Sequence, residues 1–223
     1  MRGLAKLISG LFVVGFLTAS AFAQGNLKVE SVAAPAASEV TKALLDSLEP
    51  QGARVSSDQG AVCDVWLRKG LTLGPPAGGL GDSLFGQLGA GNLIGVIHLP
   101  AQGADFRGQP FKPGYYAMRY AQIPTDGAHM GVFATRDAVV LTPVAADTSL
   151  DQTLAFADLA KLSRMVSGSP HPSFLVMASA EGTSTFPSVG KDDHGNTALR
   201  LKVQGKNGEL PIGITVVGQW VSE

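Results

Sequence analysis

The 223-residue chain carries 17 basic and 18 acidic residues, for a formal net charge of −1, and it contains one cysteine. A balance this close to neutral gives the chain no electrostatic attraction to nucleic acid or to an anionic membrane surface. A single cysteine excludes an intramolecular disulfide, so the fold must be held together by its apolar core.

The first predicted element is a secretory signal peptide over residues 1–23. Arg2 and Lys6 form its basic start, residues 11–17 form its apolar stretch, and a small-x-small cleavage site ends at Ala23. The apolar stretch is shorter than the roughly 20 residues that a membrane-spanning helix needs. No later apolar segment reaches that length either. We therefore expect a periplasmic or secreted protein with no membrane span after cleavage.

The first half of the mature chain, residues 24–223, predicts strands around one helix. A short strand begins near Leu27, and Ser38 is a candidate N-cap for a helix ending at Leu48. Strands at 54–56 and 61–67 follow, and Cys63 in the second is expected to be a small buried hydrophobe.

Residues 74–92 are rich in glycine and predict a long loop, part of which docks on the body through its leucine and phenylalanine side chains. A strand at 93–99 comes next. Residues 114–123 alternate cleanly between two faces, and with a strand at 137–142 they predict a β-hairpin.

The last third predicts one helix and three strands. The helix covers residues 156–166 and ends at Gly168, and the strands cover 173–178, 197–203 and 211–217. About eight strands that mostly follow one another, with two peripheral helices, predict a mainly β fold. We expect a single antiparallel β-sandwich domain over residues 24–223.

One tetrapeptide suggests an enzyme. Residues 81–84 spell Gly-Asp-Ser-Leu, which resembles the motif of the GDSL esterase and lipase family, with Ser83 as nucleophile and His171 as the candidate base. The residues before Gly81 are rich in proline and glycine and cannot form the core strand of that family. Gly168 also stands where the family has an aspartate. A GDSL-like serine esterase is therefore the most remote of the functional alternatives.

The histidines suggest a second alternative, a periplasmic copper-handling protein. Imidazole and thioether ligands suit Cu(I), and His98, Met118, His129 and Met130 are the candidate ligands. No two histidines have the spacing of ligands on one element. No other motif predicts a cofactor.

The densest concentration of aromatic, charged and turn residues lies between residues 105 and 129. It supplies the candidate ligand-binding residues Asp105, Arg107, Tyr115, Arg119 and His129. Tyr115 and Arg119 share one face of a strand whose other face carries Tyr116 and Tyr120, and either pair could face outward. We expect Arg107 and Arg119 to pair with Asp105 or Asp137.

Several segments resemble a group of uncharacterised secreted bacterial proteins. The matching segments are residues 66–69, 95–97, 105–109, 112–116, 126–131 and 210–213. The resemblance spans most of the mature chain and implies export and a β-sandwich, with no assigned activity.

Together these features favour an exported, non-catalytic binding or structural module. Its partner would be a small-molecule, glycan or protein ligand, and the candidate surface combines residues 105–129 with the glycine-rich loop.

Overall fold

The computed structural model describes residues 26–75, 83–105, 108–124, 135–192 and 195–218. The predicted signal peptide lies outside these ranges. In chain order the elements are β1 (Lys28–Ala33), α1 (Lys42–Ser47), β2 (Gln51–Ser57), β3 (Gly60–Leu67), a 3₁₀ turn (Gly86–Leu88), β4 (Leu93–Leu99), β5 (Gly103–Ala104), β6 (Pro110–Phe111), β7 (Gly114–Gln122), β8 (Asp137–Pro143), α2 (Phe156–Ser167), β9 (Phe174–Ala178), β10 (Ser188–Lys191), β11 (Thr197–Gly205) and β12 (Gly208–Val217).

Ten of the described strands form one antiparallel sheet in the order β1-β2-β3-β4-β7-β8-β9-β12-β11-β10. Its terminal strands, β1 and β10, lie in contact, so the sheet is nearly closed and barrel-like. The mainly β, antiparallel prediction is confirmed, but the eight-strand sandwich is wrong. Alternation gives each strand one apolar face, and one rolled sheet buries those faces as well as two packed sheets do.

The interior of the rolled sheet is the main core. Tyr116, Met118 and Tyr120 of β7 point into it, as does Cys63 of β3. Burial raises the pKa of the Cys63 thiol to about 12, with a smaller contribution from the neighbouring Asp64 carboxylate. The prediction that Cys63 is a small buried hydrophobe is confirmed.

Residues 71–73 and 83–88 pack across one end of the sheet. Leu71, Leu73, Phe85 and Leu88 from these segments belong to the main core. The side chain of Asn207, in the tight turn between β11 and β12, accepts a hydrogen bond from the Leu73 backbone N–H at 2.9 Å and donates one to the Leu73 carbonyl at 2.8 Å. Part of the glycine-rich loop therefore docks as predicted, while residues 76–82 lie outside the described ranges.

A smaller apolar cluster lies on the outer face of the sheet beneath α1. Leu44 and Leu48 pack there on Trp66, Val96 and Ala117 of β3, β4 and β7. The predicted helix is shorter than expected because Thr41, and not Ser38, caps it. The Thr41 hydroxyl accepts a hydrogen bond from the Leu44 N–H at 3.3 Å.

The second helix, α2, ends at Gly168 in a left-handed conformation, as predicted. Leu159 and Val166 are buried, whereas Phe156 and Met165 are exposed. Neither α1 nor α2, nor any other helix within the described ranges, is long and apolar enough to cross a membrane.

Candidate ligand-binding site

A continuous row of polar side chains crosses five neighbouring strands on the outer face of the sheet. The strand register places Glu30 of β1 opposite Arg54 of β2, Arg54 opposite Asp64 of β3, Asp64 opposite His98 of β4, and His98 opposite Tyr115 of β7. We call these five residues the polar row. Directly opposite residues on one face lie close enough to interact, so their side chains can act as one unit.

Asp64 holds the centre of the polar row. Its carboxylate is almost fully buried, and it accepts hydrogen bonds from Arg54 Nε at 2.6 Å and from Arg54 Nη2 at 2.9 Å. The Nδ1 atom of His98 lies 3.1 Å from the same carboxylate. Burial opposes ionisation of Asp64, but the hydrogen bonds from Arg54 and His98 outweigh it, and the pKa of Asp64 is lowered.

The Asp64 carboxylate also orients the ring of His98. A carboxylate only accepts hydrogen bonds, so Nδ1 of His98 carries the proton of this contact. Tyr115 fixes the plane of the imidazole by stacking on it at a centroid distance of 4.2 Å and an angle of 15°. The His98 side chain is 23% exposed, and no described residue hydrogen-bonds its Nε2. The polar row thus holds an oriented imidazole at the protein surface.

Tyr115 in turn lies against Trp66, at a centroid distance of 6.3 Å. The Trp66 indole lies over Gly52, and its Nε1 donates to the Ala33 carbonyl at 2.9 Å. An ideal Cβ at Gly52 would lie 2.5 Å from Trp66 Cδ1, so glycine leaves the space that the indole fills. Burial, followed by the charge of Glu39, raises the pKa of the Tyr115 hydroxyl, which therefore stays neutral.

Arg119 lies on the same face as Tyr115 but is completely buried. Its guanidinium donates to both Asp147 carboxylate oxygens at 2.6 Å and to the carbonyls of Gly91, Ser149 and Gln152 at 2.7–2.8 Å. These five hydrogen bonds occupy its donors and leave none for a ligand. The expected pairing of Arg119 with Asp105 or Asp137 is therefore wrong, because the segment after β8 places Asp147 over Arg119.

The other residues of the predicted ligand-binding set are dispersed. Asp105 is buried, and its carboxylate accepts hydrogen bonds from the Gln109 backbone N–H at 2.9 Å and from Gln109 Nε2 at 2.7 Å. This contact closes the short connection between β5 and β6. Arg107 and His129 lie outside the described residues.

The structure separates the described members of the predicted copper site. Met118 is fully buried in the main core, whereas His98 belongs to the polar row on the opposite face of the sheet. His129 and Met130 lie outside the described residues. Within the described part of the chain, no three histidine, cysteine, aspartate or glutamate side chains group as metal ligands would.

Ser83, the candidate esterase nucleophile, is part of a structural network. Its hydroxyl donates to the Asp137 carboxylate at 2.8 Å and accepts from Gln122 Nε2 at 3.0 Å. Asp137 is fully buried and also accepts from the Tyr120 hydroxyl at 2.5 Å and from the backbone N–H groups of residues 84 and 85. Burial, reinforced by the bond to Asp137, raises the pKa of Tyr120 to about 12. This network holds the end of the glycine-rich loop against the sheet.

His171, the candidate base, is exposed in the connection between α2 and β9, and its backbone N–H bonds the Ser169 hydroxyl at 3.0 Å. Among the described residues, the side chains that hydrogen-bond the Ser83 hydroxyl are those of Tyr120, Gln122 and Asp137. The structure therefore does not bring the candidate base His171 to Ser83.

Sequence reasoning missed Glu30, Arg54 and Asp64 as members of one site. The one available signal was Asp64 itself, a charged residue in the middle of the apolar strand Val62-Cys63-Asp64-Val65-Trp66-Leu67. A carboxylate in such a strand requires charged partners on neighbouring strands.

Comparisons of the whole chain with family models, with curated proteins and with solved structures find no match. The resemblance to secreted bacterial proteins stays a prediction, and function must be argued from the geometry of the site.

Proposed function

We propose that this protein is an exported, non-catalytic binding module and that the polar row is its binding surface. The observation that carries this proposal is the fixed orientation of His98. Asp64 holds its Nδ1, and Tyr115 holds its ring plane. A group oriented before the ligand arrives loses little conformational entropy on binding, which favours affinity.

The chemistry of the polar row suits a ligand with hydrogen-bonding groups around a small apolar face. Tyr115 supplies a partly exposed aromatic ring and a neutral hydroxyl, His98 supplies an oriented imidazole nitrogen, and Arg54 supplies a partly exposed guanidinium. Aromatic side chains with a few oriented polar groups are typical of small-molecule and glycan sites. A glycan or a small polar molecule is therefore the ligand class we favour.

Binding is favoured over catalysis because no nucleophile from the described part of the chain lies beside His98. Its described polar and aromatic neighbours are Asp64 and Tyr115. An Asp-His pair activates a serine or cysteine only when that group lies within hydrogen-bond reach of the second ring nitrogen. Export rests on the sequence of residues 1–23, and fractionation of the producing cells with an antibody to the protein tests it.

A titration tests the binding proposal. The protein that begins at Gln24 is titrated by calorimetry against panels of cell-wall oligosaccharides, short peptides and lipid vesicles. We expect one ligand class to bind and Tyr115→Ala to weaken that binding by roughly tenfold or more, since central aromatic contacts dominate binding surfaces. Lys202→Ala, a change at a partly exposed position on β11, is the control and should leave affinity unchanged. Binding by no class, or equal binding by Tyr115→Ala, would overturn the proposal.

A further inference from the structure

Strand β1 has one edge with which no described strand pairs. Within the described ranges β1 pairs with β2 alone, and the N–H of Ala34 donates to the Pro50 carbonyl at 3.1 Å, which continues that ladder. Alternate residues of an antiparallel strand direct their backbone groups to the same side. The even-numbered residues of β1 therefore bond β2, and the N–H and carbonyl groups of Val29 and Ser31 face the opposite edge.

Strand β10 presents a matching edge. Among the described strands it pairs with β11 alone, and the N–H of Asp192 continues this ladder by donating to the Asn196 carbonyl at 2.8 Å. The backbone groups of Val189 and Lys191 therefore face away from β11. As the terminal strands of the sheet, β1 and β10 contact each other, yet no ladder joins them. We call the line between these two strands the seam.

A cationic side chain reaches the seam from β11. Arg200 Nη2 donates at 2.8 Å to the carbonyl of Lys191, which is one of the groups that face the seam. The guanidinium lies across Gly190, since an ideal Cβ at Gly190 would be 2.6 Å from Arg200 Nη1. Arg200 is partly exposed, and its Nε and Nη1 make no hydrogen bond to a described residue. The seam thus has unpaired backbone groups on both sides and an arginine with unused donors.

Basic side chains outnumber acidic ones along the seam. Lys28 and Lys191 are exposed on β1 and β10, and Arg200 adds a third positive charge. The acids are Glu30 on β1 and Asp192 just after β10. An acidic segment therefore matches the charge of the seam better than a basic one does.

We infer that the seam binds an extended, acidic peptide segment of another protein. An extended backbone carries N–H and carbonyl groups at the spacing that the edge of β1 requires, so it adds to the sheet as a further strand. A carboxylate on that segment pairs with the unused donors of Arg200. The added strand displaces only side-chain contacts, because no described backbone hydrogen bond joins β1 to β10. The inference goes beyond the proposed function, since the seam is a second surface that includes neither His98 nor Tyr115.

Three synthetic peptides test the inference by calorimetry on the protein that begins at Gln24. The first has about eight residues, the length of a short strand, and alternates glutamate with threonine. The second is the same peptide with its backbone nitrogens methylated, which keeps the charge and prevents pairing with a strand. The third carries lysine in place of glutamate. We expect the first peptide to bind at least about tenfold more tightly than either of the others.

Variants of this chain show whether the peptide binds at the seam. Ser31→Pro removes an N–H that faces the seam and leaves the ladder with β2 intact, so it should weaken binding of the acidic peptide by about tenfold. Ser31→Ala is the matched control, because it keeps that N–H, and it should bind as the wild type does. Arg200→Gln should weaken binding by about fivefold, whereas Lys206→Gln, an exposed change in the turn between β11 and β12, should not.

Amide exchange measured by NMR provides an independent readout. When the acidic peptide is added, exchange of the Val29 N–H should slow by about tenfold or more, because the added strand accepts its hydrogen bond. Unchanged exchange at Val29 would contradict strand addition even if the peptide binds.

The remaining outcomes separate the inference from the proposed function. Equal binding of the acidic and the methylated peptides would assign the affinity to charge alone, and it would overturn the inference, as would no binding of the acidic peptide. Loss of peptide binding in Tyr115→Ala would place the peptide on the polar row, which overturns the inference and leaves the proposed function standing. A dimer of the protein that Ser31→Pro abolishes would assign the seam to a second copy of this chain and would also overturn the inference.

Discussion

Replacement of Arg119 by methionine should destabilise the protein severely. The substitution removes two hydrogen bonds to the Asp147 carboxylate and three to backbone carbonyls, all in a buried position. Of its side-chain hydrogen bonds within the described ranges, Asp147 would keep the one from the Thr142 hydroxyl, at 2.7 Å. Removing one partner of a buried ion pair costs about 3–5 kcal/mol. A loss of that size is a large part of the roughly 5–15 kcal/mol that holds a typical domain folded.

Urea unfolding followed by circular dichroism measures this loss as a change in the free energy of unfolding. Arg200→Met is the matched control, because Arg200 is only partly buried and donates to a single carbonyl, that of Lys191, at 2.8 Å. The control should change stability by no more than about 0.5 kcal/mol. A loss below about 1 kcal/mol for Arg119→Met would show that the buried pair does not hold the segment after β8 in place.

The double variant Arg119→Met with Asp147→Leu identifies the source of the loss. Replacing both members of a buried ion pair by apolar residues is often close to neutral, so the double variant should be more stable than Arg119→Met alone. A double variant as unstable as the single one would assign the loss to the three carbonyls instead of the Asp147 charge.

Three further predictions concern β2 and β3. Gly52→Ala should lower the free energy of unfolding by about 1–3 kcal/mol, because its Cβ would displace Trp66 and meet a backbone carbonyl. Tryptophan fluorescence should shift to the red. An unchanged spectrum together with unchanged stability would contradict this prediction. Asp64→Asn should be less stable than the wild type at pH 7. Since folding lowers the pKa of Asp64, the ionised carboxylate stabilises the wild type, and this stabilisation is lost as the pH falls below about 4. The difference in unfolding free energy between the wild type and Asp64→Asn should therefore shrink below that pH. A constant difference from pH 7 to pH 3 would refute the stabilising role of the Asp64 charge. Cys63, with a pKa of about 12, should react with a thiol reagent at pH 8 only after the chain is unfolded in urea, and rapid reaction of the folded protein would show that the thiol is accessible.

Local pattern predicted the individual strands well. Residues 114–123 alternate, and the structure places Tyr116, Met118 and Tyr120 in the core and Tyr115 on the outer face. A two-residue turn at Lys206 and Asn207 closes the hairpin between β11 and β12.

Closure of the sheet could not be predicted, because alternation specifies one buried face and says nothing of what covers it. Strand β10 was missed for a related reason. Its residues, Ser188–Lys191, show no apolar alternation, and they form a strand because they pair with β11.

The polar row was beyond prediction for a geometric reason. Its five members come from five strands, and they meet only because the register brings them to one level. Their separations along the chain have no common period, so no sequence motif could reveal them. For Arg119 the sequence predicted which residues share its face of β7. It did not predict that the segment after β8 covers this side chain.

The contact between β1 and β10 has a consequence for the order of folding. Most neighbours in the sheet are close in sequence, as in the pairs β2-β3, β7-β8 and β11-β12, and such local contacts form quickly. The contact between β1 and β10 instead joins the first described strand to one that precedes only β11 and β12. Bringing such distant segments together carries a large loop-closure entropy. We therefore expect the hairpins to assemble first and the sheet to close last, after almost all of the described chain has become available for folding.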